Sequence, residues 1–61
     1  MMIRFNVTIN EAGMGDVTYT GITMKEGETK GAMMGRIIDD HRYIFAIEDG
    51  VELTATARIE R

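Results

Sequence analysis

Asp39-Asp40-His41 is the one place in the chain where residue types suited to proton transfer or metal binding stand together. A carboxylate beside an imidazole can tune a general base or anchor a cation. A zinc site needs further ligands, and with one histidine and no cysteine the chain barely offers them. The trio sits at an element junction and is read as a cap and turn. The sequence contains neither serine nor cysteine, which removes the usual nucleophile–base arrangements. Gly13-x-Gly15 lies between strands rather than ahead of a helix, so turn chemistry accounts for it and no phosphate loop is expected. Asn6-Val7-Thr8 matches a glycosylation sequon inside a strand, and Gly31-x-x-x-Gly35 matches a membrane-helix pairing motif in a polar context. Neither is taken as functional. No catalytic residue, cofactor or metal is expected, and the chain is read as a non-enzyme.

The elements that carry these residues are legible from alternation. In Met2 to Asn10, Ile3, Phe5, Val7 and Ile9 alternate with Arg4, Asn6, Thr8 and Asn10, the period of a strand with one wet face. Asn10 to Asp16 holds two glycines and reads as a hairpin loop. In the returning strand, Asp16 to Met24, Val17 and Tyr19 have one parity and Ile22 and Met24 the other. A bulge at Thr20-Gly21 restores the facing, pairing Ile9 with Val17, Val7 with Tyr19, Phe5 with Ile22 and Ile3 with Met24.

Lys25 to Asp40 is ambiguous. Met34, Ile37, Ile38 and His41 follow helical spacing, and Thr29 suits an N-cap. Gly31 and Gly35 oppose a helix, at about 1 kcal/mol each relative to alanine. A short helix from Thr29 to Asp39 is expected, its glycines letting the backbone lie close on the sheet. The alternative, with Met33 to Asp39 as a strand, gives a small five-stranded barrel. From Arg42 to Glu60 a second hairpin is expected, with Asp49-Gly50 as its turn signal. A three-residue loop, Glu48 to Gly50, sets Ile47 opposite Val51, Phe45 opposite Leu53 and Tyr43 opposite Ala55, with Gly50 left-handed. Phe5, Tyr19, Tyr43 and Phe45 then all face the core, and Ile44 and Ala46 fall on the polar face. Arg4, Arg42 and Arg58 share that face with Glu48, Glu52 and Glu60, a mixed solvated surface.

The expected architecture is α+β: a four-stranded antiparallel-rich sheet in β-β-α-β-β order with one short helix on one face. That order resembles the immunoglobulin-binding domains of bacterial surface proteins. The resemblance is of element order alone and implies a fold without a function.

With 61 residues the chain is a single small domain, residues 1–61, and such a chain buries only about 60% of its unfolded surface. It lacks disulfides to compensate, and its 44% apolar share argues against disorder. Self-association, most simply a homodimer, is therefore expected, with Ile44, Ala46, Met33 and Met34 as candidate interface residues. The methionines otherwise serve as gap fillers around the helix. The N-terminus carries no basic region followed by an apolar stretch and no run reaches membrane-span length, so a cytoplasmic, membrane-free protein is expected. A net charge of −3 speaks against nucleic acid. The functional expectation is a non-catalytic protein–protein interaction module with an unidentified protein partner, such as an accessory or inhibitor protein of a bacterium or phage. A nucleic-acid-associated protein acting as an oligomer is the alternative.

Overall fold

A computed structural model describes residues 2–61 of the chain. Three strands and one helix follow in the order β1 (Phe5–Glu11), β2 (Gly15–Ile22), α1 (Lys30–Phe45) and β3 (Leu53–Ile59). They form one antiparallel sheet of order β2-β1-β3. β2 and β3 run the same way on either side of β1, so α1 is the crossover of a split β-α-β unit.

The first hairpin folds as its alternation dictates. Ile9 lies opposite Val17, Val7 opposite Tyr19 and Phe5 opposite Ile22, with a register shift between Phe5 and Val7. Gly21 has φ +69, the conformation a bulge glycine supplies. Ile3 and Met24 lie beyond the ladder. The connecting turn closes through Met14 N–H to Glu11 O at 2.9 Å.

Thr29 caps α1, its Oγ1 accepting from Ala32 N–H at 3.1 Å. The helix then runs past Asp39 to Phe45, because Met33, Ile37 and His41 continue one buried stripe at i, i+4, i+8. It stops at Ala46, left-handed at φ 53, with Ile47 N–H bonded to Arg42 O at 2.9 Å.

This overturns the second hairpin, and with it both the four-stranded sheet and the barrel. The fourth strand is absent from the described residues, so the β-β-α-β-β order that resembled the immunoglobulin-binding domains does not form. Tyr43 to Ile47 form an apolar run that a strand could also use, yet Tyr43 to Phe45 extend a helix already capped and anchored upstream, and tertiary packing decides between the two. Asp49-Gly50 still makes a turn, through Val51 N–H to Glu48 O at 3.1 Å, but it leads from a loop into β3. Gly50 is not left-handed, and Ile47 has no strand partner. Ile44 is helical and Ala46 is the cap, so neither is an outward strand residue. Tyr43, 89% exposed, and Phe45, 54% exposed, are not core. Nor do the glycines bring the helix close: a Cβ on Gly35 would meet nothing within 4 Å, and one on Gly31 only Thr29 Oγ1 at 4.0 Å.

The core is Phe5, Val7 and Ile9 beneath Met33 and Ile37, with Tyr19, Ile22, Met34, Ile38, Leu53, Ala55 and Ala57 packed around it. The helix lies over β1 and β3 rather than β2. Val17, on the inward side of β2, is accordingly left 37% exposed.

Candidate functional site

His41 is not in a turn. It is helical and only 4% exposed, the one buried polar side chain among the described residues. Tyr19 reaches it from β2, with Oη and Nδ1 2.7 Å apart and the rings edge to face. The Phe45 ring, one helical turn on, lies 4.7 Å from the imidazole centroid. The imidazole bonds the Tyr19 hydroxyl rather than Asp39 or Asp40, both of which are exposed. Among the described residues, no group of three or more His, Cys, Asp and Glu side chains is placed to hold a metal. Chemically, the cluster is a satisfied polar pair in an aromatic setting that ties β2 to the helix.

The helix flank nearer β2 carries a second polar device. Arg36 Nε and Nη2 donate to Glu28 Oε2 and Oε1, each at 3.0 Å, and Nη2 also donates to Thr23 O at 3.0 Å. Lys25 N–H adds a bond to Glu28 Oε1 at 2.9 Å. The Arg36 hydrogen bonds, with the Lys25 amide, hold the Glu28 carboxyl down at about 2. Reciprocally, the Glu28 hydrogen bond raises the Arg36 guanidinium above its ordinary value. This bidentate clasp pins the β2–α1 connection to the helix.

The flank nearer β3 is apolar. Met34, Ile38 and Phe45 follow i, i+4, i+11 spacing on the side of Arg42, whose Nη1 donates to Glu48 O in the α1–β3 connection at 2.9 Å. At the end of β3, Ile59 is 56% exposed although its neighbours Leu53, Ala55 and Ala57 on the same face are half-buried. A shallow open depression of ≈ 290 Å³ lies there, lined by Met2, Ile3, Arg4, Ile59 and Glu60.

The sheet face away from the helix is polar. Thr8 lies opposite both Thr18 and Thr56, and its Oγ1 is 2.9 Å from that of Thr18. Asn10 Nδ2 donates to Asp16 Oδ1 at 2.6 Å, and Arg58 stands opposite Asn6. Among the described residues, no aromatic side chain lies on that face.

Of the residues the sequence singled out, Met33 is fully buried in the core and cannot touch a partner without opening the fold. Met34 is half-buried on the β3-side flank, Ile44 is exposed near the helix end, and Ala46 is exposed at the cap. The Tyr19–His41 pair escaped the sequence, since nothing local links residues 22 positions apart. Phe45, expected to face inward from a strand, is instead the exposed last residue of α1. No helix among the described residues is long and apolar enough to cross a membrane. Compared with known protein families, curated proteins and solved structures, the chain has no match.

Proposed function

We propose that the protein is a small non-catalytic protein–protein interaction module. The supporting observation is the apolar margin beside β3: Phe45 on the helix flank and Ile59 at the strand end, each more than half exposed on a fold with a small core. A non-catalytic role is further supported by His41, the residue best suited to proton transfer. Its ring is buried and its Nδ1 is taken by Tyr19, so no substrate atom comes within hydrogen-bond reach of that nitrogen. The outward sheet face, threonines and asparagines with Asp16, one arginine and no aromatic ring, favours solvation over base stacking.

Differential capture tests the reading. Immobilised wild-type protein and the Phe45→Ser/Ile59→Ser double variant are compared for what each retains from native extract and for retention of free copies of the chain itself. Retention that the double variant loses is the expected result. Equal retention by both, with the variant folded, contradicts the reading.

A further inference from the structure

We propose that this surface takes a second copy of the chain, paired antiparallel through β3 about a two-fold axis at Ala55. The joint sheet then has the order β2-β1-β3-β3-β1-β2. This rests on the interaction-module reading and names its partner.

β3 is an edge strand with its hydrogen-bonding groups aimed outward at known positions. Glu60 N–H donates to Arg4 O at 2.8 Å, and the ladder pairs Ile59 with Phe5 and Arg58 with Asn6. Bonding alternates along an antiparallel strand, so Thr54, Thr56 and Arg58 turn their backbone groups to β1. Leu53, Ala55, Ala57 and Ile59 therefore turn theirs to the open side. The ladder of β3 on β1 is uninterrupted, whereas β2 carries the bulge at Gly21. A bulge is one of the ways proteins blunt an edge, and β3 has none.

β3, taken with the two residues that lead into it, is complementary to itself. Val51 to Ile59 reads V-E-L-T-A-T-A-R-I. Antiparallel pairing centred on Ala55 sets Val51 against the partner's Ile59, Glu52 against Arg58, Leu53 against Ala57 and Thr54 against Thr56. The outward-turned residues of β3 meet each other in this register, Ala55 with its own copy and Leu53 with Ala57, and each such pair exchanges both backbone bonds, while Val51, whose N–H is held by Glu48 O, adds side-chain cover alone. Centring on Thr56 instead places Glu52 opposite Glu60, like charges directly across the seam. Centring on Thr54 leaves Arg58 opposite Gly50. Charge and apolar matching coincide only at Ala55.

The helices fit the same symmetry. With α1 seated over β1 and β3, and strands about 4.8 Å apart, the two helix axes come to roughly 10 Å from one another. Packed helices stand about 8–10 Å apart. Arg36 occupies the β2 side of the helix, so the flank facing the new neighbour is Met34, Ile38 and Phe45. Alanines at 55 and 57 leave room beneath that seam, and Ile59 is covered by the partner's Val51.

Sedimentation equilibrium from micromolar to millimolar concentration tests this with Glu52→Arg, Arg58→Glu and the double exchange. Both positions are exposed, and circular dichroism verifies folding. The wild type is expected to reach a two-chain mass. Each single exchange sets like charges across the seam twice per dimer, raising the dissociation constant roughly tenfold, and the double exchange restores it. A one-chain mass for folded wild type throughout the range overturns the pairing, while capture of a different protein through Phe45 would leave the interaction-module reading standing. A two-chain mass indifferent to the exchanges also overturns it, by placing the contact elsewhere.

Discussion

Along the β2 side of α1, Arg36 grips Glu28 through two hydrogen bonds and holds the Thr23 carbonyl with a third. Along the β3 side, Met34, Ile38 and Phe45 form an apolar stripe that nothing among the described residues fully covers. The sheet edges differ in the same sense, with a bulge on β2 and a straight ladder on β3. One helix thus has a closed flank and an open one. The contrast separates two uses of side chains in a chain of this size. Polar groups fix the β2–α1 connection, while apolar groups too numerous for a small core are left beside the edge able to recruit more sheet.

The largest effect is expected beneath the helix, at the buried Tyr19–His41 bond. Tyr19→Phe leaves a buried imidazole nitrogen without its partner, and urea unfolding should show a loss of about 1–3 kcal/mol. A loss that vanishes at high protein concentration would tie Tyr19 to the open side rather than to the fold itself.

Two glycines sharpen the comparison at about 1 kcal/mol. Gly21→Ala strains the left-handed bulge of the blunted edge and should cost about that much. Gly35→Ala, in open space on a helix, should instead stabilise by up to about the same amount. Thermal unfolding measures both, and a destabilised Gly35→Ala would show that the helix needs that glycine for a close approach.

The smallest effect is the pH response of the closed flank. Glu28 titrates at about 2 when folded against an ordinary value of 4.5. A depressed folded value gives stability that is fully present above about 4.5 and is lost as pH falls through about 2. Glu28→Gln should remove that slope between the two values, read from urea midpoints across the acid range. An unchanged slope would mean that other carboxylates govern acid unfolding.

The first hairpin was legible because its signals are local. Alternation, two turn glycines and a phase break at Gly21 are all visible within residues 5–22, and register follows from facing. The cap at Thr29 was legible for the same reason. The end of the helix was not, since Tyr43 to Ile47 fit a strand and a helix equally well by apolar count, and Asp49-Gly50 forms a turn under either assignment. The decision came from Met33, Ile37 and His41 locking one stripe over β1, a long-range packing event. The Tyr19–His41 bond was invisible for want of any local trace. The matching ends of β3 stand in the sequence, but they acquire meaning only once β3 is known to lie at an edge and not within a hairpin.

Residue-resolved amide hydrogen exchange at low and high protein concentration tests the open edge most directly. Thr56 and Arg58 amides, turned to β1, should be protected at every concentration, and the Ala55 and Ala57 amides, turned outward, should gain protection as concentration rises and lose it on dilution. Ala55 and Ala57 exchanging freely at all concentrations, with Thr56 and Arg58 still protected, would mean that the sheet ends at β3 and that the apolar stripe serves no second copy.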